Sequence, residues 1–259
     1  MSSTAKRMKS KRGLVVSALS IALGLVEVSQ TTIAQEKPSM SASATANASA
    51  TLSIRQQALM PVAAFAAIGD IAGLGTALNQ GLDAGMTISD AREVLVQLYA
   101  YAGFPRSLNA LAELMSVADA RRSRGIEDAA GREPSHKAPQ GEALLAVGTA
   151  NQTQLAGAVV AGPLFDFAPV ANEFLRSHLF GDIFERDNLD WQSRELATVS
   201  MLAALPGVES QLQAHIRMSM NTGVSVAQLR QLTTLLGERV NAETAERVRQ
   251  ALDRHLASQ

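Results

Sequence analysis

Two residues that can exchange a proton, Glu195 and His215, lie in the segment Arg194–Gly223, RELATVSMLAALPGVESQLQAHIRMSMNTG. The segment predicts two short helices separated by Pro206-Gly207, with the carboxylate on the first helix and the imidazole on the second. An imidazole titrates near neutral pH, so a carboxylate beside it would form a pair suited to acid–base catalysis. The alternative is structural: a Glu favoured by the helix dipole and a His satisfied at the edge of an apolar stripe.

Four further residues are candidates for the same site. Glu93 places a carboxylate near the start of a helix, where a purely structural role at the helix dipole is the alternative. Arg194 can pair with a carboxylate, bind an anionic substrate or lie on the solvated surface. The only tyrosines of the chain, Tyr99 and Tyr101, can line a cleft or pack in the core. We therefore expect Glu195, His215 and Glu93 as catalytic residues and Arg194, Tyr99 and Tyr101 as substrate-binding residues.

The sequence predicts neither a metal site nor a bound cofactor. His136 and His255 have no partner at metal-ligand spacing, and HxxH and HExxH motifs are absent. The Gly-rich stretch GLGTALNQGLDAG follows no predicted strand, which excludes a nucleotide-binding turn of the dinucleotide type. The chain has no cysteine, so thiol peroxidase chemistry and thiolate metal ligands are excluded.

The composition favours an all-α fold. Hydrophobic residues make up 47% of the 259 residues but aromatic residues only 4%, so the core consists mainly of Ala, Leu, Val and Met. Ala and Leu have high helix propensity, whereas strands prefer β-branched and aromatic residues. The net charge of −1 gives no electrostatic basis for binding nucleic acid.

The N-terminal segment, from Met1 to Ala34, predicts a secretory signal peptide. A basic stretch up to Arg12 is followed by the apolar run Gly13–Val26 and by Thr32-Ile33-Ala34, the small-residue pattern of a cleavage site. The apolar run is shorter than the roughly 20 residues of a transmembrane helix, although an uncleaved anchor is the alternative. We expect cleavage near Ala34, a periplasmic location and no membrane association of the mature chain. Residues 35–52 are rich in Ser and Ala and predict a disordered tether.

Several residues mark where helices begin. Asp190 is a predicted N-cap, and Pro105 and Pro169 are predicted to begin helices. Pro61 predicts a kink or a late start in the helix that contains it. The Gly- and Pro-rich stretch from Arg122 to Gly141 predicts a boundary, which divides the ordered chain into a first unit at 53–124, a connector at 125–165 and a second unit at 166–259.

The two units share a pattern at a constant offset in residue number. Gly85–Ser89 corresponds to Gly223–Ala227, and each stretch leads into a predicted capping box, Thr87 with Asp90 and Ser225 with Gln228. Such a repeat is typical of two helical units that bury a shared interface.

The repeat divides the polar residues between its two copies. Glu195 corresponds to Gln57 and His215 to Ala77, whereas Glu93 corresponds to Gln231 and Tyr99 to Gly237; neither copy holds the whole set.

The stretches EVLVQLYAYAGFP and FGDIFERDNLDWQSRELATVSMLAALPGVESQLQAHIRMSMNTGVS resemble the carboxymuconolactone decarboxylase family, which includes alkylhydroperoxidase D. The resemblance implies a bundle of two tandem units with the alkylhydroperoxidase D-like fold, a homo-oligomer and a small site between helices. Alkylhydroperoxidase D uses a CxxC motif, but PGVES stands between Glu195 and His215 here. The chain is therefore more similar to the decarboxylase branch, whose polar positions match Glu195, His215 and Glu93.

The resemblance implies an enzyme that uses acid–base proton transfer on a small organic acid or lactone, without a cofactor. One alternative is a non-catalytic oligomeric protein for binding or assembly on the same scaffold. A peroxide-handling activity without the cysteine pair is the least favoured alternative, because the sequence offers no nucleophile for it.

Overall fold

The computed structural model describes residues 51–258, and the predicted signal peptide and nearly all of the predicted tether lie outside this range. Within it the chain forms eleven α-helices, one π-helical segment and no strand, which confirms the all-α prediction. None of these helices combines the length and apolar character needed to cross a membrane. The helices are α1 Ile54–Ile68, α2 Ile71–Asp83, α3 Ile88–Gln97, α4 Tyr99–Ser123, α5 Glu142–Ala156, α6 Pro163–Phe167, α7 Pro169–Phe174, α8 Trp191–Ala204, α9 Glu209–Asn221, α10 Val226–Arg239 and α11 Ala242–Ala257, with the π-helical segment Leu175–Ile183 between α7 and α8.

Local capping fixes where the first helices begin. Ser53 and Gln56 form a reciprocal capping box at α1, and Thr87 forms the predicted box with Asp90 at α3. The late start predicted from Pro61 is wrong, because α1 begins at Ile54 and includes the proline. The capping box stabilises the first turn of α1, and this stabilisation exceeds the cost of the one backbone hydrogen bond that proline cannot donate.

The last four helices begin at nearly the same spacing as the first four. The start of α9 corresponds to that of α2, and the start of α10 to that of α3, at the same offset that aligns Gly223 with Gly85. Ser225 forms a capping box with Gln228, as Thr87 does with Asp90. Gly69 and Gly207, which also correspond, both have left-handed backbone angles with φ of 84° and 80°. The two helix groups thus share their order of starts and turns.

The core lies between the two groups, where α1 packs extensively against α8. Every residue of α8 from Ser193 to Ala204 is buried, and so is most of α1 from Ala58 to Ala67. A helix buried on all faces must occupy the centre of a bundle, because no face remains for solvent. The central position of α8 places its polar side chains, including Glu195, away from water.

A second, smaller core lies beside the first. α5 packs against the π-helical segment so closely that a Cβ on Gly148 would lie 1.8 Å from the carbonyl oxygen of Arg176. Glycine is therefore required for this approach. The apolar residues buried here are Leu155, Ala156, Leu179, Phe180, Ile183, Phe184 and Met218, with Tyr99 and Tyr101 packed at the edge.

Candidate active site

Two antiparallel helices, α8 and α9, position the acid–base pair. The Asp190 side chain accepts a hydrogen bond from the backbone N–H of Ser193, and it thereby fixes the first turn of α8. Glu195 lies in the second turn, and the chain then reverses at Gly207 and returns as α9 with His215 in its middle. The hairpin brings side chains that are 20 residues apart into contact.

Glu195 and His215 form a buried hydrogen bond, as the sequence predicted for a shared site. The distance from His215 Nδ1 to Glu195 Oε2 is 2.8 Å. The Glu195 side chain is fully buried, and that of His215 keeps 9% of its surface exposed. Nδ1 is thus the ring nitrogen that faces the carboxylate, and Nε2 is the second nitrogen of the ring.

Three polar atoms around this pair lack a hydrogen-bond partner among residues 51–258. Glu195 Oε1 and the Tyr101 hydroxyl are buried and form no well-aligned hydrogen bond within residues 51–258. His215 Nε2 also forms no hydrogen bond within the described residues. The rings of Tyr101 and His215 meet edge to face, with centroids 5.5 Å apart and an interplanar angle of 81°. Buried polar groups without partners are uncommon in folded proteins, so these atoms mark a place where a ligand or water belongs.

The Tyr101 hydroxyl is a hydrogen-bond donor in this setting. Burial and the negative charge of Glu195 raise the pKa of its hydroxyl, while the Thr198 hydroxyl and the Arg194 charge act in the opposite direction. The phenol therefore stays protonated at neutral pH and can donate a hydrogen bond to an oxygen beside His215.

A buried ion-pair cluster lies next to the acid–base pair on α8. Arg186 contacts Glu93 through two hydrogen bonds of 2.6 and 2.9 Å, and Arg194 contacts the same carboxylate at 3.1 Å. Burial alone would raise the pKa of Glu93, but hydrogen bonds from Arg186, Asn188 and Arg194 lower it to about 2. Glu93 is therefore ionised at neutral pH.

The backbone of α8 is tied to α3 by the same cluster. Gln97 Nε2 donates to the carbonyl oxygen of Arg194 at 3.1 Å and to the Thr198 hydroxyl at 2.7 Å. Gln97 Oε1 accepts a hydrogen bond from the Arg194 guanidinium at 3.2 Å. Because Thr198 and Glu195 share one helix, these bonds also hold the carboxylate of Glu195 in place.

Three of the predicted site residues make their contacts outside the Glu195–His215 pair. Glu93 is held in its charged form by two guanidinium groups, which lower its pKa. The Arg194 side chain is fully buried against Glu93 and Gln97, so it does not lie on the solvated surface. Tyr99 stacks on Phe104 with ring centroids 4.4 Å apart and lies against His178 rather than against His215.

Sequence reasoning missed three residues that support the site: Arg186, Gln97 and Thr198. Arg186 lies in the run ERDNLD, which carries several charges and offers no sign of which one turns inward. Thr198 had a detectable signal, because the sequence predicts it on the same helix as Glu195, three residues further along.

A cavity of about 780 Å³ lies away from the acid–base pair. The connector residues 133–141 line it together with Leu144, Asp182 and Arg186. The Glu195–His215 pair is the candidate site because it is a buried titratable contact, whereas the cavity is open to solvent. Within residues 51–258 no cluster of three or more His, Asp or Glu side chains could hold a metal ion.

The geometry is that of an all-α bundle with a buried carboxylate–imidazole pair at a helical hairpin. Residues 169–254, about a third of the chain, match the model of the carboxymuconolactone decarboxylase family. The matched range contains α8 and α9 with Glu195 and His215, and it excludes Glu93 and Tyr101. The match supports a relationship with this family. No curated protein matches the chain at a significant level of similarity.

Proposed function

We propose that the protein is a carboxymuconolactone decarboxylase-like enzyme that transfers protons on a small organic acid or lactone. The observation that carries this proposal is the 2.8 Å hydrogen bond between His215 Nδ1 and Glu195 Oε2 inside the bundle. A buried titratable pair next to unpartnered polar atoms is typical of an acid–base site. The family match over residues 169–254 supports the general assignment.

His215 is the group that meets the substrate in this mechanism. Glu195 holds the Nδ1–H and stabilises the imidazolium, which leaves Nε2 to accept or donate the reacting proton. In a decarboxylation the electron pair of the broken C–C bond moves into an adjacent carbonyl of the substrate, and CO₂ leaves. Nε2, which takes up a proton from solvent before this step, then gives that proton to the carbon of the resulting enolate and returns to the neutral imidazole.

Tyr101 stabilises the negative charge that develops during this step. Its hydroxyl remains protonated and lies next to the imidazole, so it can donate a hydrogen bond to the enolate oxygen. The substrate carbonyl serves as the electron sink, and the proposed reaction therefore requires no cofactor.

The test is a turnover screen of the purified mature chain against lactones, β-keto acids and hydroperoxides. Activity on a lactone or β-keto acid that is lost in both His215→Ala and Glu195→Gln supports the proposal. Activity that persists in both variants removes these residues from the mechanism. Activity confined to hydroperoxides would favour the peroxide-handling alternative, for which the chain lacks the cysteine pair.

A second candidate, an oligomeric binding or assembly protein, is favoured by exposed apolar side chains. Val159, Leu164, Phe167, Val170 and Phe174, in and around α6 and α7, are 56 to 89% exposed. Apolar side chains concentrated in one short segment are typical of an association surface, and we propose that copies of the chain associate there. Sedimentation of the wild type and of Phe167→Asp tests this: a monomeric wild type contradicts the association.

We also propose that the two four-helix groups are tandem copies of one unit and that the chain is exported. The shared offset of their helix starts and turns supports the first proposal. The basic, apolar and small-residue pattern of residues 1–34 supports the second. N-terminal sequencing of the protein from the periplasmic fraction tests export, and a mature chain that still begins at Met1 contradicts cleavage.

A further inference from the structure

A small cavity of about 80 Å³ lies between α1, α2 and the end of α10. Gln57 and Ala77 line it from the first helix group, and Arg239 lines it from the second. Its other walls are mainly short apolar groups, among them Ala58 and Pro61. The cavity thus combines the amides of Gln57 and Gln80 and one cation with a small apolar interior.

This cavity occupies the place that corresponds to the Glu195–His215 site. The offset that relates the two groups aligns Gln57 with Glu195, Ala77 with His215 and Tyr101 with Arg239. Each helix group also contributes one side chain to the site of the other group. Tyr101 of the first group packs on His215 of the second, and Arg239 of the second group borders the cavity of the first.

Gln57 and Ala77, which stand where the second group has Glu195 and His215, offer no acid–base chemistry, but Arg239 can bind an anion. An amide and a methyl group cannot exchange protons near neutral pH, so the Gln57–Ala77 pair cannot replace Glu195 and His215. The methyl of Ala77 in place of an imidazole leaves unfilled space. Arg239 is exposed and forms no ion pair or hydrogen bond with the other described residues, so its donors are free.

We propose that this cavity is a second, non-catalytic binding site for a small monocarboxylate. The guanidinium of Arg239 donates two parallel hydrogen bonds to the carboxylate, and a short apolar tail contacts Ala77 and Pro61. A water molecule occupies roughly 30 Å³ in the liquid, so the cavity holds only a few heavy atoms. Acetate and propionate fit this limit. The proposal is independent of any reaction at His215.

The experiment is an NMR titration of the full mature chain, labelled at its alanine methyl groups, with acetate and with acetamide as the neutral isostere. Acetate is expected to shift the methyl signals of Ala58, Ala77 and Ala84, with a dissociation constant of about 1 mM. Arg239→Gln is expected to weaken acetate binding about tenfold or more, because the charge-assisted hydrogen bonds are lost. Arg230→Gln is the matched control: it removes an exposed arginine of the same helix that does not line the cavity.

Two further variants separate this site from the acid–base pair. Ala77→Leu fills the cavity and should abolish acetate binding, whereas His215→Ala should leave it unchanged. The proposal is overturned if acetamide causes the same shifts as acetate, or if Arg239→Gln and Arg230→Gln bind acetate equally well. Shifts that disappear in His215→Ala would also overturn it, because they would place the ligand at the other site.

Discussion

The Glu195–His215 site and the Gln57–Ala77 cavity lie at corresponding places in the two helix groups, and they differ in what fills them. At the first, Glu195, His215 and Tyr101 occupy the space and leave reactive atoms without partners. At the second, the shorter side chains leave about 80 Å³ empty beside Arg239. At these two places the larger, titratable side chains form a hydrogen-bonded pair, and the smaller side chains leave a void.

The two sites also differ in the side chains next to them, which are charged in one case and neutral in the other. Glu93 and Arg194 form an ion pair, but the corresponding positions hold Gln231 and Gln56. Gln231 accepts a hydrogen bond of 2.7 Å from the backbone N–H of Leu52, and Gln56 completes the capping box of its own helix. The same positions thus secure backbone groups in one case and hold buried charge in the other.

The largest expected effect is on turnover. With a substrate from the screen, His215→Ala should lower kcat/KM by about 10² to 10⁴-fold, because the proton-transferring nitrogen is lost. Glu195→Gln should lower it less, since Nε2 remains while the imidazolium loses its carboxylate partner.

The matched control changes the corresponding position in the other helix group. Gln57→Ala should leave kcat/KM within the error of the wild-type measurement, because Gln57 cannot transfer a proton. An equal loss of turnover in Gln57→Ala would show that the two places are not chemically distinct.

A substitution of Arg194 should lower the free energy of unfolding more than a substitution of the corresponding Gln56, because Arg194 carries a buried charge. Arg194→Met leaves Glu93 with Arg186 alone and should lower the free energy of unfolding by about 3 to 5 kcal/mol in urea denaturation. Gln56→Met removes only half of a capping box and should lower it by about 1 kcal/mol. Equal values for the two variants would contradict the proposed asymmetry of buried charge.

The same ion pair predicts how stability depends on pH. The pKa of Glu93 is lowered from 4.5 to about 2 in the folded chain, so its contribution is complete above about pH 5 and is lost as the pH falls toward 2. The shift corresponds to about 3 kcal/mol of unfolding free energy.

Urea denaturation from pH 6 to pH 2 measures this contribution as the difference between wild type and Glu93→Gln. The variant is less stable at pH 6, and its disadvantage should shrink steadily as the pH falls, because only the wild type loses an ionised Glu93. A difference that stays constant over this range would show that the carboxylate does not titrate as the ion pairs require.

The smallest expected effect comes from making the two places alike. The double variant Gln57→Glu with Ala77→His should fill the cavity, abolish acetate binding and change the free energy of unfolding by about 1 kcal/mol or less. Imidazole nitrogen NMR should then show one additional ring with a protonated Nδ1 held by a carboxylate.

The single variant Ala77→His is the control, since its imidazole has no carboxylate to fix the tautomer. If the double variant gives the same nitrogen spectrum as the single variant, positions 57 and 77 do not face each other as 195 and 215 do.

The helix starts were predicted well from sequence wherever a local cap defines them. The capping boxes at Thr87 and Ser225 and the N-cap at Asp190 are confirmed, because each depends on residues only three positions apart. Of the kink or late start predicted from Pro61, the late start is wrong, because the Ser53–Gln56 box begins α1 at Ile54. The π-helical segment after α7 was also missed, since its hydrogen-bond pattern depends on packing against α5 rather than on local sequence.

Local sequence was enough to define the helical hairpin and the residues that could exchange a proton, Glu195 and His215, because helix periodicity and a Pro-Gly break are local properties. Which polar residues share a site depends instead on packing in three dimensions. Arg194 and Glu195 are adjacent in the chain, yet one faces Glu93 and the other His215, because α8 is buried on all sides. Arg186 contacts Glu93 of the first helix group, and Arg239 borders a cavity of that group. Both contacts join residues far apart in the sequence, so packing determines them.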